Sequence, residues 1–243
     1  MEKPRIIVGV PGAWPTRSDI VKDIAARSGG YLLAGTVLTD AATQDSFQLE
    51  VYDRDPHMRR AFEVAGGGRY TAAELDAIDR HTHTLYLTGE GGSTDAAWKV
   101  MRAARGLLRA GGLGVKVESA GLAPRPELWS KWTDSNFLPN LYHAFVARVG
   151  GKTGWFSCGM HHLGCRDIVI GGADASPDEA GELIHRFQLY ELLSSPALAA
   201  GQTFSLDATA PVFRITAEEC QTYPPGDLFH NPYGMWRLTR VVK

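Results

Sequence analysis

Apolar positions along this chain recur either every second residue or at helical spacing, and each change of period marks an element. Residues 5–10 (RIIVGV) are apolar up to Pro11-Gly12 and read as a buried strand. Residues 19–29 (DIVKDIAARSG) read as a helix, with Thr16 or Ser18 as its cap and Gly29 as its stop. Residues 31–38 and 46–53 are two further strands, the second (SFQLEVYD) with clean alternation. A short helical stretch starts at Asp55-Pro56, runs through Phe62 and breaks at glycines 66–68. Thr71 with Glu74 three residues later is a capping box and opens another helix. Residues 83–89 are a strand. The clearest helix follows at 94–112, where Ala97, Val100, Met101, Ala104, Leu107 and Leu108 fall on one face and Gly111 closes it. Residues 113–119 (LGVKVES) read as a strand.

Pro124 and Pro126 mark the expected seam. A short Trp-rich segment follows, and strands are expected at 141–150, 153–158 and 166–172. A helix opens at Ser176-Pro177-Asp178 and ends near Ser194, with proline at a favoured first-turn position. Strands at 203–207, 212–217 and 234–242 close the chain. The pattern predicts an α+β fold of two packed halves, 1–123 and 124–243, with mixed sheets and helices on one side of each.

Composition narrows the function classes. The chain has 243 residues, formal net charge −2 and an ordinary apolar fraction. The absence of a basic excess argues against general nucleic-acid binding. Three cysteines are too few for a disulfide scaffold. No signal peptide and no membrane-spanning stretch are evident, so the expected setting is the cytoplasm, with no membrane partner.

Residues 156–167 (FSCGMHHLGCRD) concentrate the candidate chemistry. Cys158 to His161 and His162 to Cys165 have zinc-ligand spacing, and His81 with His83, alternating on one strand face, could complete a shell. Four ligands from eight consecutive residues leave almost no chain to wrap a tetrahedron. The favoured reading is therefore a turn: Gly159 and Gly164 permit positive φ, Met160 and Leu163 point inward, the cysteines act as small buried hydrophobes, and no cofactor is expected, with zinc as the alternative. A redox pair lacks its Cys-x-x-Cys spacing. Residues 88–94 (TGEGGST) sit where a phosphate loop belongs, but lack a Walker lysine and carry Glu90. Lys99, Arg102, Arg105 and Arg109 line one side of the long helix as a stripe that could steer an acidic partner. Trp129 and Trp132, three apart beside Arg125 and Lys131, form a partner hot spot if exposed. No G-x-S-x-G, H-E-x-x-H or complete phosphate loop is present.

The segments VPGAW, HTHTLYLTGEGGSTDAAWKVMRAARGLLRAGGLGVKVESAG, CGMHHLGCRDIVI and GQTFSLD together resemble bacterial domain-of-unknown-function families, in which a glycine-framed turn precedes an acidic residue, here Asp167, and an apolar strand. The resemblance implies a cytoplasmic α+β protein. Because some such families occur in toxin–immunity settings, it also implies a protein-neutralising role, and it carries no catalytic residues with it. The expectation is a protein-binding immunity factor, with a metal-binding protein or metalloenzyme and a nucleotide-binding protein as the alternatives.

Overall fold

A computed structural model describes residues 3–151 and 153–241. Sheet A is built from β1 (Arg5–Gly12), β2 (Tyr31–Ala34), β3 (Val37–Asp40), β4 (Ser46–Asp53), β5 (His83–Glu90) and β6 (Lys116–Val117), in the order β2-β3-β4-β5-β1-β6 with every pair antiparallel. Sheet B contains β7 (Ala147–Gly151), β8 (Gly154–Cys158), β9 (Asp167–Gly171), β10 (Thr203–Phe204), β11 (Phe213–Glu218) and β12 (Met235–Arg240), ordered β10-β11-β12-β9-β8-β7 with β9 and β12 parallel. The helices are α1 (Arg17–Arg27), α2 (Met58–Ala65), α3 (Ala72–Asp79), α4 (Thr94–Arg109), α5 (Pro126–Ser135), α6 (Pro139–Phe145) and α7 (Pro177–Ser194). The protein is α+β. No helix among the described residues is long and apolar enough to cross a membrane.

Alternation in sheet A sends Ile6, Val8, Val10, Leu38, Leu49, Leu85 and Leu87 to one face, where all are buried. α4 packs on that face and is further covered by α5 and α6, which leaves only the side carrying Asp95, Lys99, Arg102 and Arg109 exposed. α6 in turn touches α7, which lies on β7 and β8 of sheet B. The expected seam at Pro124 and Pro126 is where α5 begins. Trp129 of α5, Leu141 and Phe145 of α6, and Met160 and Leu163 all join the apolar cluster of sheet A.

Three sequence expectations need correction. Residues 141–150, expected as one strand, form α6 before β7 begins at Ala147. Pro139 sits in the first turn, and Leu141, Tyr142, Ala144 and Phe145 bury a helical face that short-range alternation mimicked. Residues 31–38 are a hairpin rather than a strand, turned at Gly35 with φ 62°. Of 113–119, only Lys116–Val117 forms a strand, although Leu113 and Glu118 N–H also donate to the Pro11 and Ile7 carbonyls of β1.

Candidate functional site

The Cys/His segment is a tight corner between β8 and β9. Gly159 (φ 122°) and Gly164 (φ 83°) bracket one turn of 3₁₀ helix, Met160–Leu163. Met160 and Leu163 enter the core, as the spacing predicts. The backbone carbonyl of His162 accepts from Gly92 N–H at 2.9 Å and so ties the corner to the loop before α4. Burial pushes the Cys165 thiol up to about 12 and the Cys158 thiol higher still, so neither is activated as a thiolate for redox exchange.

His81 and His83 do not complete a metal shell. His81 donates from Nδ1 to the Ile78 carbonyl at 2.6 Å and accepts at Nε2 from Asp55 N–H at 3.1 Å, so both ring nitrogens are committed. His83 Nδ1 lies 3.0 Å from the Trp14 carbonyl. Both sit at the start of β5, whereas the corner meets Gly91 and Gly92 beyond its end, about 25 Å away at strand rise. Among the described residues, no three His, Cys, Asp or Glu side chains gather to hold a metal ion. His161 and His162 are buried side by side, with ring centroids 4.0 Å apart and planes tilted by 51°. Burial, and after it the neighbouring His161, hold the His162 pKa well below the usual imidazole range, with the Phe145 carbonyl opposing. No ring nitrogen of this pair reaches a partner at hydrogen-bonding geometry.

Beneath the corner lies a buried polar network that sequence reading marked only by Asp167. Ser157 Oγ donates to Asp167 Oδ1 at 2.6 Å, and Asn231 Nδ2 donates to Asp167 Oδ2 at 2.7 Å. Gln188 Nε2 and Ile168 N–H donate to Ser157 Oγ at 2.6 and 3.0 Å. Ser157, Asp167 and His161 have the composition of a nucleophile triad but not its order. The hydroxyl proton goes to the carboxylate rather than to an imidazole, and all three side chains are buried. The arrangement fastens α7 and the loop before β12 to sheet B.

Glu191 of α7 lies near this network. Its carboxyl is pushed up to about 7, chiefly by burial, with a hydrogen bond from Trp236 Nε1 opposing the shift and Asp167 adding to it. The folded chain therefore holds a proton that the unfolded chain has already released between the ordinary carboxyl range and about pH 7, so this group subtracts stability as pH rises through that window. Glu191→Gln keeps an acceptor for Trp236 and removes the penalty. The expected result is a gain of about 2 kcal/mol at pH 8 and almost none at pH 4.5, read by urea unfolding at both values.

Two of the four cations of the α4 stripe have carboxylate partners. Lys99 pairs with Asp45 at 2.6 Å and Arg105 with Asp134 at 2.5 Å. Arg102 donates to Asn136 at 3.0 Å and lies over the Trp98 ring, while Arg109 rests against Gly29. The tryptophan pair is divided. Trp129 is fully buried, donating from Nε1 to the Met101 carbonyl at 3.1 Å and meeting Phe145 edge-on, so it cannot serve as an exposed anchor. Trp132 is half-buried and stacks on His143. The 88–94 loop spends its donors internally, Gly91 N–H on Pro4 and Gly92 N–H on His162, and the hollow beside it is lined by Asp45, Glu90 and Asp95, which repel phosphate.

A cleft of about 790 Å³ offers a different surface. It lies between the end of α2, the turn at 120–124, α5, α6, β7 and the loop carrying Tyr223 and Phe229. Arg69 and Arg148 supply its charge, Trp132, Tyr142, His143, Tyr223 and Phe229 its rings, and among the described residues no aspartate or glutamate lines it. His143 stacks between Trp132 and His185, with centroids at 6.0 and 5.7 Å. Arg148 makes one long contact to the Gly181 carbonyl, 3.4 Å. Sequence reading found only Trp132 of these residues, because the lining comes from several separate stretches of chain.

No family model, curated protein or solved structure matches the chain.

Proposed function

We propose that the protein works by binding a protein partner, and that an acidic segment of the partner enters the cleft between Arg69 and Arg148. The observation that carries this reading is the lining: two guanidinium groups and several aromatic faces without an opposing carboxylate. Such a surface attracts negative charge over a Debye length of about 8 Å and offers apolar area to whatever follows it in. Aromatic rings and arginine are also the residue types that dominate binding energy at protein interfaces. The α4 stripe is the weaker candidate for this role, since Lys99 and Arg105 already have carboxylate partners. Neutralisation of a toxin, as an immunity factor, is the setting implied by the resemblance, and it requires a surface of this kind.

The test uses a fluorescent peptide of glutamates flanking one phenylalanine. The expected result is saturable binding that weakens at least about ten-fold in Arg69→Glu/Arg148→Glu and is unchanged in Lys99→Glu/Arg102→Glu. Loss of binding in the helix variant with none in the cleft variant returns the role to α4. No binding by the parent protein at low salt rejects the acidic-segment reading.

A further inference from the structure

We propose that the α6 wall of the cleft, beside Arg148, is a subsite for a phosphate monoester, with Arg148, Tyr142 and His143 as its donors. The inference rests on the cleft reading above and names the group that the ligand inserts.

The cluster is compact. The rings of Tyr142, His143 and His185 lie 5.4 to 5.7 Å from one another, centroid to centroid. Arg148, on the first strand after α6, acts electrostatically on all three. Trp132 stacks against His143 and fixes the plane of that ring.

These groups are underused as the protein stands. Tyr142 is 1% exposed, and its hydroxyl has no hydrogen-bond partner. His185 backs these rings from the α7 side, where it lines a separate hollow with Asp178 and Glu182. Buried polar groups are almost always satisfied, so the orphaned Tyr142 hydroxyl marks a place where an acceptor belongs. The arginine fork, the phenolic O–H and one N–H of His143 are all donors. Together they outnumber what the two oxygens of a carboxylate accept in one plane and match the three terminal oxygens of a phosphate monoester.

The charge balance points the same way. His143 is held below the ordinary imidazole range by burial and by Arg148. His185 is held down by burial, Arg148, His143 and Arg186, with Glu182 opposing. For Tyr142 burial is the largest influence, with Arg148 and Asp167 acting in opposite senses. Glu182 and Asp178 lie on the α7 side of Arg148, away from the acid-free cleft, and Glu182 is paired with Arg186 at 3.3 Å. A bound dianion reverses the penalty on the His143 cation, so binding takes up protons and tightens as pH falls toward the usual histidine range.

Isothermal titration with phenyl phosphate, benzoate and sulfate tests the subsite. Phenyl phosphate is expected to bind at least about ten-fold more tightly than benzoate, and Arg148→Ala to remove at least about ten-fold of that affinity. Sulfate, whose own charge is constant over the range, should bind more tightly at pH 6 than at pH 8. Tyr142→Phe is the decisive variant: phosphate affinity falls about five-fold while the Tm of the free protein is unchanged or higher, since the substitution deletes an unsatisfied hydroxyl. Equal affinity for benzoate and phenyl phosphate, or a Tyr142→Phe protein that loses Tm but keeps affinity, overturns the proposal. A glutamate-rich peptide with one phosphoserine, set against AMP, separates the sources. Preference for the phosphopeptide supports a phosphorylated protein segment. Preference for AMP supports the subsite and removes the protein-partner reading. Glutamate-peptide binding without any phosphate preference leaves that reading standing and removes the subsite.

Discussion

Gly159→Ala is expected to cost about 4 kcal/mol of folding stability, seen as a lower urea midpoint with an unchanged slope. Two independent penalties combine. The residue sits at φ 122°, a conformation that side chains avoid. A Cβ at this position meets the Phe145 carbonyl oxygen at 1.9 Å, and that oxygen belongs to the last turn of α6 rather than to a mobile side chain. Relief therefore requires β8 and α6 to separate. Their separation unseats Met160 and Leu163 from the core and disturbs the donors around Asp167. Gly181→Ala in α7 is the control. Nothing lies within 4 Å of its added methyl, and a helix-interior glycine replaced by alanine gains about 0.5–1 kcal/mol. A Gly159→Ala protein within about 1 kcal/mol of the parent contradicts the packing of the corner against α6.

The corner was legible because its demands are local. Two glycines framing a short apolar pair specify positive φ on each side and inward-facing Met160 and Leu163, and the chain obeys. The capping box at Thr71 is local in the same sense and forms, and the helix expected to open at Ser176-Pro177-Asp178 does so, with a capping box to Glu179 that the structure adds. α6 was not legible. Leu141, Tyr142 and Phe145 suit a helix face, but they run straight into Ala147–Gly151, whose strand character spread backward over them. The cleft was illegible for a different reason. Arg69 and Arg148 are unremarkable in their own neighbourhoods, and their meaning lies in which residues stand opposite, which depends on how α2, α5, α6 and the 223–229 loop converge. The stripe on α4 is the converse case. The spacing of Lys99 and Arg105 is real, but Asp45 and Asp134, from distant stretches of chain that spacing does not reveal, pair with these two of its four cations.

The division of the tryptophan pair gives the second large effect. Trp129→Ala is expected to cost about 4 kcal/mol, the range for emptying a fully buried aromatic site. The indole fills the contact between α5 and α4, touches Phe145 of α6 edge-on, and donates to the Met101 carbonyl, so its removal leaves a cavity where three helices meet. Trp129→Phe restores most of the volume but not the donor and should cost about 2 kcal/mol. Trp132→Ala, from a half-buried site, should cost less than about 1.5 kcal/mol and act mainly on ligand affinity, because it removes the ring stacked on His143. Urea unfolding and peptide titration of the same variants separate the two roles. Stability falls with Trp129 while any binding defect tracks the unfolded fraction; affinity falls with Trp132 while the protein stays folded. The reverse assignment, with Trp129→Ala as stable as the parent but unable to bind, would put the exposed anchor on the other side of α5 and take Trp132 out of the cleft's recognition surface.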